Sequence, residues 1–356
     1  NTEGATIYFT TDGTAPTQAS RRYTAPLTID STVVLQAVAY RSGQRSAVLA
    51  RSFIFGEFTD FPVVSIIIEP SVLFDPVSGL HVRGPRASNK FPYTGANYNS
   101  NREVNAYVDF IESDKSHAFG EYCKLRIFGG YSRMFPQKSL ALTADEDRGS
   151  KRFKHEIFPD RPFKSYKHFV LRNSGSDFGG THLRDAFITS LGREMGLTVQ
   201  AYRPSITYIN GKYWGILNIR EKINRHFLAM HFGVDKDSVD LLEHNAGRKA
   251  GTRKHYEAMR NFMRDNDLSI QKNYEYITTQ MDVVDFADYQ IVQIFIDNQD
   301  AGGNIKFWRP QQPKGRWRWI LFDTDFGFGH YGTGAKNNSL AFHTEPNGPN
   351  WPNPAW

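Results

Sequence analysis

Residues 300–329 read DAGGNIKFWRPQQPKGRWRWILFDTDFGFG. Asp300 and Asn304 precede an aromatic, strand-like segment, and Asp323 and Asp325 follow it. The mostly apolar run Trp317 to Phe322 would deliver Asp323 at a strand end, and Gly327 allows a sharp exit. Taken singly, these aspartates are ordinary turn or cap residues, and the triplet Asp325-Phe326-Gly327 recurs by chance. Carboxylates gathered around a buried strand are costly to hold unless a cation or a proton transfer uses them. An Asp with a nearby Asn, then a distant Asp-x-Asp-Phe-Gly, is a ligand set used in phosphoryl transfer. One Asp handles the acceptor hydroxyl, while the Asn and a second Asp hold magnesium against phosphate.

Two further stretches bear on this chemistry. Gly129-Gly130-Tyr131-Ser132-Arg133, followed by Pro136-Gln137-Lys138-Ser139, reads as a Gly-rich turn between strands. Backbone N–H groups there can approach a phosphate and Lys138 can reach it, although the plain alternative is a hairpin turn with a solvated lysine. The stretch matches neither a Walker A sequence nor the protein-kinase glycine loop. Glu221 ends an apolar run just before a helical pattern. It reads either as a charge favourable to a helix start or as the partner that orients a phosphate-binding lysine. Arg172, Arg184 and Arg220 are further phosphate-contact candidates.

Composition narrows the classes. Length suggests two or three domains with a substantial core. The 43 Lys and Arg against 37 Asp and Glu form no block of like charge, which argues against a dedicated nucleic-acid surface. The 27 Phe, 17 Tyr and 6 Trp suit a β-rich core or stacking surfaces for sugars or bases. The single cysteine, Cys123, rules out an intrachain disulfide framework and reads as a buried apolar residue. No run approaches the roughly 18 apolar residues of a membrane span. The 11 histidines show no metal-ligand spacing, and no serine sits in a nucleophile elbow.

Along the chain, residues 1–55 read as a small all-β module, with strands expected at Ile7 to Thr11, Thr32 to Tyr40 and Ala47 to Phe55. Asp12-Gly13 and Ser42-Gly43 mark turns. Gly56 to Phe61 reads as a linker, and a second domain spans residues 62–356. Within it Val63 to Ile68, Ala106 to Ile111 and Tyr122 to Phe128 read as strands, and residues 80–100 as a long loop. Arg203 to Glu221 reads as a hairpin closed by Asn210-Gly211, the residue pair that favours a type I′ turn. Helices are expected at Thr181 to Gly196, capped by Thr181 with Leu183, Phe187, Leu191 and Met195 on its apolar face, at Lys222 to Phe232, and at Asp285 to Asp297 with Asp285 as cap. The fold class is therefore α+β.

The first segment, through YFTTDGTAPT, RRYTAPLTI and VVLQAVAY, resembles the chitobiase C-terminal-like, immunoglobulin-type module, lacking its first strand. From about Pro62 onward the chain resembles the CotH family of spore-coat-type atypical protein kinases. The blocks that carry this are GGYSRMFPQKSLAL, FVLRNSGSDFGGTHLRDAF, RPSITYINGKYWGILNIREKINRHFL, VVDFADYQIVQIFIDNQDAGGNIKFWR and GRWRWILFDTDFGFG, in that order. The resemblance implies a divergent kinase-like fold, ATP with magnesium (or manganese), and phosphorylation of protein Ser or Thr. It places Asp300 as the catalytic Asp and Asn304, Asp323 and Asp325 as metal ligands, with Asp325 and Gly329 completing the family's Asp-x-Asp-x-x-Phe-Gly pattern. Lys138 and Glu221 become the Lys and Glu partners, and Arg133 lies in the phosphate-loop block. Trp317 could stack on adenine, with Tyr213 or Trp214 on the opposite face. Two departures stand out: Asp300 and Asn304 are four residues apart against five in ordinary kinases, and no His-Arg precedes Asp300.

The resemblance also implies export to the cell surface or periplasm, a spacer or carbohydrate-contacting role for the module, and further helices beyond the Pro/Asn-rich run Pro349 to Trp356. Other readings of the same residues are a nucleotide-sugar glycosyltransferase, with Asp323 and Asp325 as an Asp-x-Asp metal motif, and a non-catalytic surface or adhesion protein.

Overall fold

In the computed structural model, residues 3–56, 60–330 and 336–345 are described. The Pro/Asn-rich run Pro349 to Trp356, beyond which further helices are expected, lies outside these residues. The architecture is α+β and divides into two units, one of residues 1–173 and 202–220, the other of residues 174–201 and 221–356.

In chain order the elements are β1 (Thr6–Thr10), β2 (Arg21–Arg22), β3 (Val33–Arg41), β4 (Gln44–Arg45), β5 (Leu49–Phe53), β6 (Val63–Ile67), α1 (Pro70–Phe74), β7 (Val104–Ile111), β8 (His117–Phe128), β9 (Ser139–Ala144) and β10 (His168–Arg172). There follow α2 (Arg184–Glu194), β11 (Thr198–Val199), β12 (Tyr202–Ile209), β13 (Lys212–Glu221), α3 (Arg225–Phe232), β14 (Val239–Glu243), β15 (Gly247–Ala250), α4 (Lys254–Asp265), α5 (Gln271–Gln280), α6 (Val283–Phe295), β16 (Lys306–Pro310), β17 (Arg318–Leu321) and α7 (Ser339–Thr344).

The first unit holds two β structures. The N-terminal strands form a five-stranded antiparallel sheet in the order β2-β1-β3-β4, with β5 also paired to β3. Ser42 and Gly43 both take positive φ, 49° and 77°, the geometry of a primed hairpin turn. The remaining strands close a barrel, β10-β13-β12-β6-β7-β8-β9. Its strand β6 is buried at every position, as its β-branched run foretells. The turn at Asn210-Gly211, with φ of 51° and 75°, joins β12 to β13. Asn210 also reaches outside the turn: its amide oxygen accepts from the Ile68 N–H and its amide nitrogen donates to the Ile68 carbonyl. Cys123 is fully buried on β8, and burial pushes its thiol up, so it is a core residue and not a reactive thiol.

The small sheet is not tethered by its linker alone. Val34 and Ala50 share a core cluster with Ile67 of the barrel. The buried Asp109 carboxylate accepts from the Ser52 N–H at 2.6 Å and bonds His117 at 2.8 Å. The Tyr122 hydroxyl donates to the Val48 carbonyl. A Cβ on Gly211 would sit 3.3 Å from the Val33 backbone, so the turn residue is also set by this approach.

In the second unit, a sheet is ordered β11-β17-β16-β14-β15, and its central strands β17, β16 and β14 are buried on both faces. Phe307, Trp319 and Leu321 face one core with Ile188 of α2, Tyr256 and Met259 of α4, Ile277 of α5 and Tyr289 and Val292 of α6. Trp308, Ile320, Val239 and Leu241 face another with Phe227 and Leu228 of α3. A sheet covered on both sides needs no polar alternation, which explains the near-continuous apolar run of β17.

Three helix expectations are corrected. Helix α2 starts at Arg184, and Thr181 is not its cap. Asp177 instead accepts from the N–H groups of Thr181 and Arg184. Its buried face is Asp185, Ile188, Thr189 and Gly192, whereas Leu183, Phe187 and Met195 are exposed. A Cβ on Gly192 would come within 2.4 Å of Leu321, so α2 lies close on β17 through this small residue. Helix α3 begins at Arg225 with Asn224 as its cap and ends at Phe232, as expected, where Gly233 takes φ 64°. Helix α6 is capped by Asp282, not Asp285.

Asp285 turns inward and accepts from the Trp319 N–H at 2.7 Å. Burial pushes its carboxyl up to about 6, with the Trp319 bond opposing and the Asp282 charge adding. Because its folded value is raised, the folded chain binds more protons than the unfolded chain from about pH 4 to 6. Its contribution to stability therefore falls as pH rises through that window. Asp285→Asn keeps an acceptor without the charge, and its stability, measured by urea unfolding between pH 4 and 7, is expected to decline less with pH than that of the wild type.

Candidate functional site

Helix α6 leads directly into the first half of the site. Its capping turn is built by side chains: Asn298 donates to Gln293 at 2.8 Å and accepts from the Asp300 N–H at 3.1 Å. Asp297, in the left-handed region with φ 50°, accepts from Gln299 and from Asn337. The Asp300 carbonyl accepts from the N–H groups of Gly303 and Asn304, closing a tight loop. That loop turns Asn304 back so that its amide donates to the Asp300 carboxylate at 2.7 Å. Burial pushes the Asp300 carboxyl up to about 6; the Asp323 charge adds to this and the Asn304 bond opposes it. A carboxyl near neutrality is suited to receiving a proton.

Strand β17 delivers the second half. Asp323 has φ 56°, Phe328 has φ 49°, and both lie in the region that L residues other than glycine seldom adopt. The buried Asp185 carboxylate accepts from the Thr324 N–H at 2.9 Å and from its hydroxyl at 3.1 Å. Asp325 is buried and accepts from the Ser176 N–H at 2.6 Å. The Arg184 guanidinium donates to the carbonyls of Gly327 at 2.8 Å and Phe328 at 3.1 Å, and pairs with Asp177 at 3.6 Å. Within the loop, Gly327 N–H bonds the Thr324 carbonyl and Phe328 N–H bonds the Ile296 carbonyl, tying it to the end of α6.

Lys306 lies close by, 3.0 Å from the Glu243 carboxylate and 3.6 Å from the centre of the Phe322 ring. Burial lowers its pKa, against the charges of Glu243 and Asp323. Among the described residues, no group of three His, Cys, Asp or Glu side chains is placed to hold a metal. Magnesium does not require one: it takes one or two carboxylates and completes its shell with water and phosphate oxygens. Asp323 with the Asn304 amide oxygen, beside Asp300, is a donor set of that kind.

The remaining expected site residues are in the barrel unit, apart from Glu221 and Trp317. Gly129, with φ 102°, and a 3₁₀ turn over Tyr131–Met134 lead from β8 to β9. Lys138 ends this connection. It is buried, donates to the Phe135 carbonyl at 2.9 Å and stands 4.3 Å over the Tyr98 ring; burial lowers it to about 8. His81 is pushed down to about 4 by burial and by the Lys138 charge, and it packs against Trp214. The Trp214 carbonyl accepts from Gln137, so this aromatic is bound to the Gly-rich connection. Tyr213 is exposed and edge-on to Tyr208. Arg133 donates to the carbonyls of Gly129 and Asn99, which gives it a loop-bracing role.

Glu221 is buried in the second unit, where its carboxylate accepts from the Ala201 N–H at 2.8 Å and bonds His231 at 2.7 Å. The expectation of a Trp317 ring face for adenine is corrected. The indole is fully buried, donates to His255 at 3.0 Å, and packs edge-on against Tyr256 and Phe307. Arg184, a candidate phosphate contact, is the clamp on the Gly327 and Phe328 carbonyls described above.

Asp177, Asp185 and Lys306 were not singled out from sequence. Asp185 answers to Thr324, 139 residues away, which no local spacing reveals, while Asp177 bonds Thr181 and Arg184 within its own Gly-rich block. Lys306 had one local signal, a lysine opening an aromatic strand two residues after Asn304.

Residues 125–356 match the family model described as CotH kinase protein, a span that contains the five sequence blocks from GGYSRMFPQKSLAL to GRWRWILFDTDFGFG. Residues 1–50 match the chitobiase/beta-hexosaminidase C-terminal domain. The chain belongs to the CotH family, with a chitobiase-type module at its N-terminal end. No curated protein matches it.

Proposed function

We propose that the chain is a metal-dependent ATP phosphotransferase that phosphorylates Ser or Thr of a protein substrate, on a divergent protein-kinase-like scaffold. The observation that carries this reading is the Asp300–Asn304 hydrogen bond beside the Asp323 charge, assembled from two chain segments, one at the end of α6 and one at the end of β17. Bound magnesium would supply neutralisation of phosphate charge. Asn304 and Asp323 are the residues to hold it. Asp300, already raised toward neutrality, accepts the proton of the acceptor hydroxyl. Lys138 contributes positive charge to phosphate, and its burial strengthens that interaction. The immunoglobulin-like module is proposed as a spacer or carbohydrate contact of a protein exported to the surface or periplasm. Among the described residues, no helix is long and apolar enough to cross a membrane.

The test is calorimetric titration with magnesium and ATP, followed by transfer of labelled γ-phosphate to protein acceptors. Lys138→Met is expected to weaken ATP binding by about 10- to 100-fold, the loss of one charge-assisted contact. A wild-type chain that shows no heat with ATP and magnesium, or that binds nucleotide sugars in preference, would overturn the proposal.

A further inference from the structure

We infer that Asp185 is a positioning residue that holds the Asp323–Asp325 loop in its working shape; its meaning for metal binding rests on the phosphotransfer reading, but the clamp itself does not. Two non-glycine residues in this loop, Asp323 and Phe328, have positive φ. Each such residue is strained, so the loop holds its shape only where its surroundings over-determine it. The over-determination comes from residues 174–185. Asp185 takes both donors of Thr324, the residue immediately after the strained Asp323, and Thr324 is itself fully buried. Ser176 N–H takes the Asp325 carboxylate, and Arg184 takes the carbonyls of Gly327 and Phe328.

Asp185 is the central contact of the three. It faces inward on α2 beside Ile188 and Thr189, so its position is set by the packing of the helix on the sheet. The Thr324 groups it accepts are neutral, so the clamp needs an acceptor at that point more than it needs a charge. With its bonds in place, the Asp323 carboxylate is presented by a loop that need not reorganise when a cation arrives. Supporting contacts of this kind are worth about 10- to 100-fold in metal affinity.

The experiment uses residue-resolved amide exchange by NMR on the metal-free chain, with magnesium affinity in the presence of ATP as a second readout. In Asp185→Ala, exchange is expected to accelerate at least about 10-fold at Gly327 and Phe328 as well as at Thr324, and magnesium affinity to fall about 10- to 100-fold. Gly327 and Phe328 bond to other carbonyls, not to Asp185, so a purely local loss would change Thr324 alone. Asp185→Asn, which keeps an acceptor, is expected to restore part of the protection. Should Asp185→Ala fail to fold, Thr324→Val, which removes only the hydroxyl donor, is expected to speed exchange at the same three amides, with Thr324→Ser restoring it. Unchanged exchange at Gly327 and Phe328 in the folded variants overturns the clamp. A wild-type chain that binds no magnesium with ATP overturns the phosphotransfer reading instead, and amide exchange still decides the clamp.

Discussion

Asp323→Ala is expected to lower phosphoryl transfer by at least about 10³-fold while the chain stays folded. The loss follows from removing the carboxylate that would hold the cation, an electrostatic contribution usually worth several kcal/mol in the transition state. The cost to folding is small. Alanine is less at ease than aspartate at φ 56°, which costs about 1 kcal/mol, and the Asp185–Thr324 bonds remain. The substitution also removes the like charge beside Asp300, so the Asp300 carboxyl is expected to fall toward its ordinary range. Asp323→Asn separates charge from shape, since it tolerates the same backbone conformation. Labelled-phosphate transfer and thermal melting of the three chains check this. Wild-type transfer in Asp323→Ala would show that the metal assignment is wrong.

Trp317→Ala should be among the most destabilising single changes in the second unit, by about 3–5 kcal/mol. Its indole is completely enclosed, contacts Tyr256 and Phe307, and gives its N–H to His255. Its backbone N–H and carbonyl also bond Gln280 and Asp282, joining the end of α5 to the start of α6. Truncation leaves a cavity in the core that backs the Asp300 and Asp323 segments. Trp317→Phe keeps most of the volume and loses the His255 bond, so a smaller loss is expected. Denaturant unfolding measures both. ATP affinity in folded Trp317→Phe should match the wild type within about two-fold. A loss of tenfold or more in a stable protein would return the indole to the adenine site.

The contrast between Trp317 and Asp323 shows where sequence pattern is informative. Asn210-Gly211 reads correctly because a type I′ turn is a local demand: two successive positive φ values, met by residues that tolerate them. The buried β6 and the apolar β17 read correctly because burial on both faces leaves a continuous run of hydrophobic side chains. The end of α3 at Gly233 is local in the same way. Asp300 and Asn304 are close in sequence, so a single loop suffices to join them.

Other features depended on partners far away in the chain. Periodicity alone assigned Leu183, Phe187 and Met195 to the inner face of α2, yet these are exposed and Asp185 is buried. A carboxylate faces a core only where donors await it, and those donors belong to Thr324, 139 residues on. Asp285 was read as a cap because a cap is the local use of an aspartate; its actual partner is the Trp319 N–H on β17. Whether the Trp317 indole is a binding face or a core side chain cannot be seen from its neighbours in sequence, and the structure encloses it completely. By itself the sequence determined the α+β class and the main turns. Tertiary structure decided which polar groups are buried and what they hold, because the cost of burying a polar group is met by a partner in space, wherever the chain supplies it.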